Sequence, residues 1–391
     1  MGVSATFTND IKLALFCTLL ALFFVEYNNT DESNILLCCL STLIVIYPYN
    51  FLVRLIENEN YRTFVQIVFY ISFVPIVVFF SLFSEVSHLL KIIPIFTTFI
   101  LVGLIKFKLS RIKGFPAHSK FVILATAVLC VSIYIFKDFN ILFFYDPTSV
   151  YLYREENQTI LDINLIKLYT WIIIPTLILS TNDKNRYVVL FMVIFSSVIF
   201  YGTFGHKSLL GLPVAIYFLY RSQNIEKFLL NLLLFLLMIG LFGYLANIRI
   251  IDGIFVRRVF YVPTYLAIEW LNAFEHSSVP FWGTVFPLNL FEYYPFHKPL
   301  IQIMSEKVGG WPNVGALVDL FVNANIIGWF FAWSLAMIIR ILAGVMNKAN
   351  GKVFCVTIAI LYLNSGVAIY WFGFIFVIQL FILLLIRYGE G

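Results

Sequence analysis

Residues 228–248 read FLLNLLLFLLMIGLFGYLANI, a run without Asp, Glu, Lys or Arg that ends directly before Arg249. A helix needs roughly twenty mostly apolar residues to cross the hydrocarbon core of a bilayer. This stretch therefore reads as a span, and the remaining chain reads the same way. Of its 391 residues, 61% are hydrophobic and 12% charged, against roughly 45–50% and about 25% in soluble domains. With a mean hydropathy of +0.92, a soluble fold of this length has too little interior to hide so much apolar surface. Lipid is the expected solvent. Further candidate spans fall at 11–27, 35–53, 63–83, 89–105, 121–136, 163–179, 187–204, 208–220, 315–342, 353–369 and 371–387. The first lacks a basic leader and a small-residue cleavage site, so it reads as a retained span and not as a signal peptide. The expected fold class is an all-α polytopic membrane protein of about twelve transmembrane helices, forming one integral membrane domain over 1–391.

Charge placement orients these spans. Lys106, Lys108, Arg111, Lys113 and Lys120 crowd one connection, and short loops rich in Lys and Arg stay in the cytoplasm. Both termini then fall on the cytoplasmic side. Arg54, Arg62, Lys184, Arg186, Arg221, Lys227, Lys348 and Lys352 agree, whereas the opposite short loops hold Asp31, Glu32 and Glu85 with Lys91 alone opposing. Two external connections are long, 137–162 and 249–313, and loops beyond roughly 12–15 residues are usually functional or disordered. The second is dense in Trp, Phe, Tyr and Pro, and we expect it to fold as a cap. No internal repeat is visible, nor a pair of broken spans such as announces a transporter.

Candidate chemistry concentrates in that larger loop. Arg249, Arg257 and Arg258 lie within ten residues of one another, and a guanidinium fork holds phosphate oxygens while staying charged in a low-dielectric site. Snorkelling to anionic headgroups is the plainer use of the same residues. Phe255–His276 reads as helix with Pro263 inside it. Arg258, Tyr265, Glu269, Asn272 and His276 follow at intervals of 7, 4, 3 and 4, which puts them on one face, with Val259, Val262, Leu266 and Ala273 opposite. Such a helix would lie at the membrane surface. His276, Glu269 and Asp319 are, in that order, the candidate general bases. His206 and Lys207 occupy the tip of a tight turn, Gly205-His206-Lys207-Ser208. Asn313, Asp319 and Asn323 enter a late apolar span, and the last two share a face. Trp270, Trp282, Tyr293, Tyr294 and Trp311 suit sugar stacking or interfacial anchoring equally.

Other chemistries find little support. The five cysteines, Cys17, Cys38, Cys39, Cys130 and Cys355, all lie in apolar runs and read as packing residues. No spacing suits a metal site, and there is no phosphate-cradling GxxxxGK[ST] loop; no metal or other cofactor is expected. No basic module suits nucleic acid. His88, near Glu85, is a thin substitute for the His/Arg pair of a membrane acyltransferase.

About twelve spans, a large external loop opening with arginines, the Gly205–Ser208 turn and the Asn313…Asp319…Asn325…Gly328 entry to a late span together resemble the bacterial O-antigen polymerases. The resemblance covers the whole chain in architecture. It implies a GT-C-like fold in the bacterial inner membrane and a metal-independent glycosyltransferase of lipopolysaccharide biosynthesis. Its substrates would be undecaprenyl-diphosphate-linked oligosaccharide repeat units on the periplasmic face, with Arg249, Arg257, Arg258 and Lys207 holding pyrophosphate. A membrane protein that regulates chain length is the implied partner. Related ligases carry a histidine late in the loop, and none stands near Asn313 here. A lipid-linked oligosaccharide flippase and an O-antigen ligase remain the alternatives.

Overall fold

The computed structural model describes residues 2–28, 35–83, 86–107, 109–112, 115–117, 119–145, 159–181, 184–206, 208–246, 248, 259–274, 306, 317–318, 320, 327–364 and 374–388. Its elements in chain order are α1 (Gly2–Asn28), α2 (Ile35–Arg54), α3 (Glu59–Val68), α4 (Val74–Leu82), α5 (Val86–Leu104), β1 (Phe115–Ala117), α6 (Ser119–Phe136) and α7 (Leu142–Tyr145). There follow α8 (Ile160–Leu168), α9 (Ile174–Leu179), α10 (Arg186–Phe204), α11 (Ser208–Arg221), α12 (Ile225–Leu245), α13 (Val262–Phe274), α14 (Ile327–Val345), α15 (Lys348–Asn364), α16 (Phe374–Leu385) and β2 (Ile386–Tyr388).

The protein is a multi-pass membrane protein built of helices. Among the described residues six helical stretches are long and apolar enough to cross a bilayer: Phe7–Glu26, Glu59–Leu82, Ser87–Leu104, Leu161–Leu179, Arg186–Phe204 and Ile225–Leu245. Cys39–Arg54, Lys120–Phe136, Ser208–Arg221 and Trp329–Val345 are shorter apolar helices. The expected spans 353–369 and 371–387 both include residues outside the described ones. The outward row on α6 shows why lipid is needed: Phe121, Leu124, Val128 and Phe136 are all more than half exposed, an arrangement water would penalise. Cys17, Cys130 and Cys355 are buried, as packing residues would be.

The chain forms two compact units. The first comprises residues 1–107, 224–341 and 361–372, the second 108–223, 342–360 and 373–391. In the first, α1 packs against α2, α4 and α12, and α13 packs against α4. Its centre is a stack of rings, with Phe73 over Phe96 at 4.2 Å between centroids and Phe69 over Phe96 at 5.7 Å. In the second unit α10 packs against α6 and α11, and β1 pairs in parallel with β2, Phe115 opposite Ile386.

Two spans are interrupted, contrary to the expectation from sequence. Between α3 and α4 residues Phe69–Phe73 widen into a π turn, and between α8 and α9 residues Tyr169–Ile173 do the same. Each opened turn runs into a β-branched residue followed by proline, Val74-Pro75 and Ile174-Pro175. Proline has no N–H to return to the carbonyl four residues earlier, and its ring crowds that carbonyl. The Val74 N–H accordingly donates to Phe69 O and the Ile174 N–H to Tyr169 O, five residues back. Pro48, Pro94 and Pro213 also sit inside helices without such a turn, so proline alone does not dictate it. The two breaks lie a hundred residues apart, and so do the helices that follow them, α5 and α10.

Both interrupted helices start the same way. Asn58 accepts from the Tyr61 N–H, and Thr159 forms a reciprocal box with Asp162, satisfying donors that a helix start leaves unbonded. At the end of α10, Gly205 takes φ 67° as a left-handed cap, a conformation that glycine adopts without steric cost.

Candidate functional site

Eight of the residues singled out from sequence, Lys207, Arg249, Arg257, Arg258, His276, Asn313, Asp319 and Asn323, lie outside the described residues, as do Trp282, Tyr293, Tyr294 and Trp311. His206 and Glu269 are described. His206 is half-buried just after the Gly205 cap in the second unit, its carbonyl accepting from the Leu209 N–H at 2.8 Å. Glu269 is half-buried on α13 in the first unit.

The helix carrying Glu269 is described from residue 259, with π geometry at 259–261 and α13 over Val262–Phe274; residues 255–258 and 275–276 of the expected helix lie outside the described residues. Pro263 thus follows a third opened turn. Tyr265, Glu269 and Asn272 do share a face, with Tyr265 and Asn272 exposed. Burial on this helix does not follow the apolar residues opposite that face. Phe260, Thr264, Ala267, Ile268 and Leu271 are buried, whereas Val262 and Leu266 are only half-buried and Ala273 is exposed. Burial follows the partner helices: Phe260 meets Phe16 edge-on at 5.7 Å, and Tyr261 packs against Phe79 and Phe24. Trp270, a candidate sugar platform, is 5% exposed and belongs to this packed side.

The polar face finds a partner that spacing does not reveal. His88, two residues into α5 and 2% exposed, places Nε2 2.6 Å from Asn272 Oδ1. An amide oxygen accepts only, so Nε2 carries the proton and Nδ1 is the acceptor. Lys91, one turn further along α5, brings its ammonium within 3.4 Å of that Nδ1. Phe80 closes one side of the imidazole with an edge-on ring at 6.1 Å. The group unites a fixed imidazole, a cation, an exposed amide and, one turn back on α13, a carboxylate. Such a set can orient hydroxyl groups and attract an anion. His88 was legible only as a stray histidine, because its partner lies 184 residues away.

A second polar cluster occupies the opposite end of the same unit's helices. Arg54, closing α2, bonds Asp10 of α1 at 2.7 Å and both carboxylate oxygens of Glu226 in the first turn of α12. The Tyr70 hydroxyl donates to Asn50 Oδ1 at 2.8 Å, and the Asn50 amide reaches Asp10 at 3.5 Å. Every polar group in this chain of contacts has a partner. We read it as the tie that joins α1, α2 and α12 to the opened turn.

In the second unit the corresponding space is held by hydroxyls. Tyr169 O–H lies 2.9 Å from Ser196 Oγ and 3.3 Å from Ser197 Oγ, and its ring stacks on Phe200 at 3.8 Å. Lys137 reaches Asp162 at 2.8 Å, next to the Thr159 cap.

No family model, no curated protein and no solved structure matches this chain.

Proposed function

We propose that this protein is an O-antigen polymerase of the bacterial inner membrane, with a GT-C-like bundle of about twelve spans and both termini cytoplasmic. It joins undecaprenyl-diphosphate-linked oligosaccharide repeat units at the periplasmic face. The observation that supports this reading is the polar face of α13, whose Asn272 meets His88 beside Lys91 while Glu269 stands one turn away. Transfer from a lipid diphosphate requires an acceptor hydroxyl to attack the anomeric carbon as the bond to the diphosphate breaks. The bonding pair leaves with the diphosphate, and the hydroxyl proton passes to a base. Cations aimed at the leaving group supply the electrostatic contribution, often the largest one. Lys91 is a candidate for that role, as are Arg249, Arg257 and Arg258. A positioned base adds typically 10²–10⁴-fold, and His276, Glu269 and Asp319 are its candidates.

The test is a gel of surface lipopolysaccharide from a strain deleted for the gene, complemented with wild type, Arg258→Ala, Glu269→Gln or Asn272→Ala. Collapse of the ladder to lipid core bearing one repeat unit is expected on deletion, with Arg258→Ala failing to restore it. An unchanged ladder in the deletion strain would sink the proposal.

A lipid-linked oligosaccharide flippase is the second reading. The paired interruptions at Phe69–Phe73 and Tyr169–Ile173 favour it, because proline-broken spans in corresponding positions often mark the substrate path of a transporter. Loss of every band carrying a repeat unit would select this reading or that of a ligase over the polymerase.

A further inference from the structure

In the second unit the opened turn leaves an acceptor without a donor in its own helix. The Ile174 N–H has gone to Tyr169 O, and Pro175 has no N–H, so the Thr170 carbonyl loses both donors that a helix would offer it. Its own hydroxyl is turned back to Ile166 O and Lys167 O.

The helix packed against this turn is α16, FIFVIQLFILLL, apolar throughout apart from Gln379. Gln379 is 1% exposed, and neither its amide nitrogen nor its oxygen has a hydrogen-bond partner among the described residues. A buried amide left unbonded is destabilising, and in a membrane no bulk water is at hand to relieve it. The first unit shows the contrast. Its opened turn is lined by the rings of Phe69, Phe73 and Phe96, and the nearby amide of Asn50 is bonded to Tyr70 and Asp10.

An amide offers donors and an acceptor, and a carbonyl offers an acceptor; a hydroxyl, with one donor and two lone pairs, complements them. We propose that the seam between α16 and the opened turn Tyr169–Ile173 is a binding site for a hydroxyl-bearing ligand, water or a sugar hydroxyl. The Gln379 amide and the Thr170 carbonyl are its recognising groups. Charge plays no part in it, so a phosphate or a metal cation is the wrong occupant. The site does not rest on the polymerase reading, because its test needs no turnover.

The test is cysteine labelling of the full chain in membrane vesicles, with the five native cysteines replaced by serine. Gln379→Cys is compared with Leu383→Cys, one turn along the same helix and equally buried, using a small charged methanethiosulfonate. A hydrated site makes the Gln379→Cys variant react severalfold faster, and equal rates overturn the proposal. If added oligosaccharide slows the reaction the occupant is a sugar hydroxyl; if it does not, the occupant is water. Gln379→Met in the otherwise native chain supplies a second readout. An orphan amide replaced by an apolar side chain of similar size raises the thermal midpoint, and that result overturns the site. A midpoint that stays level or falls agrees with an occupant bonded to the amide.

Discussion

Phe69 and Tyr169 open equivalent turns a hundred residues apart, and they differ by one hydroxyl. Around Phe69 the first unit has stacked rings on one side and a chain of bonded polar groups on the other, from Tyr70 through Asn50 and Asp10 to Arg54 and Glu226. Around Tyr169 the second unit has two serines, a stacked Phe200, and, on the helix across the seam, an amide with no partner among the described residues. The residues that meet across each pair of helices correspond too. Phe69 faces Phe96, and Tyr169 faces Ser196. The same backbone break frees a carbonyl in both units, Tyr70 O and Thr170 O, but the second also packs against a helix whose Gln379 amide has no partner among the described residues. A helix interruption does not by itself make a site; what the neighbouring helices bring to it decides.

The comparison breaks most severely if the tie in the first unit is cut. Arg54→Ala leaves Asp10 and Glu226 facing each other without their cation. Removing one partner of a buried ion pair costs about 3–5 kcal/mol, and with Arg54 at 21% side-chain exposure we expect about 3 kcal/mol, the low end of that range. The unfolding midpoint in detergent checks it.

Swapping the two aromatic residues sharpens the contrast. Phe69→Tyr places a hydroxyl among rings, and an unbonded buried hydroxyl costs about 1–3 kcal/mol, again visible in the midpoint. Tyr169→Phe removes the bonds to Ser196 and Ser197 but leaves the stack on Phe200, so the loss is smaller, about 1 kcal/mol. If the two substitutions cost the same, the surroundings are not as different as the geometry makes them. The smallest effect belongs to Lys106 and Glu57, a bridge of 2.6 Å with both side chains well exposed. The hydrogen bond that Lys106 donates to Glu57 raises the lysine above its ordinary range. Its support is therefore full below the ordinary lysine value and fades only as the pH climbs through the raised one. Lys106→Ala is expected to leave the midpoint at neutral pH unchanged, since exposed pairs contribute little.

Hydropathy alone told that the chain is a helical, multi-pass membrane protein, because spans obey a local rule of length and polarity. The helix face Tyr265, Glu269, Asn272 was legible for the same reason, being a matter of period. Which side of this helix is buried was not legible, since it depends on where Phe16, Phe24 and Phe79 stand, and no local period carries that. The opened turns escaped notice because Pro48, Pro94 and Pro213 lie in similar apolar runs without producing them. His88 and Asn272 are too far apart in the chain for spacing to pair them. Gln379 is a lone amide in an apolar run, and its meaning lies in having no partner among the described residues, which spacing does not show.

The parallel pair of β1 and β2 has a consequence in time. Phe115 and Ile386 are partners in register, yet 271 residues of chain separate their synthesis. At roughly 5–20 residues per second that interval is about 15–55 s. For all of it β1 offers an open edge, which other strands can join, and the second unit cannot close its sheet until Ile386–Tyr388 arrives. Slowing or speeding translation downstream of residue 117 should therefore change the yield of correctly folded protein more than the stability of what has folded.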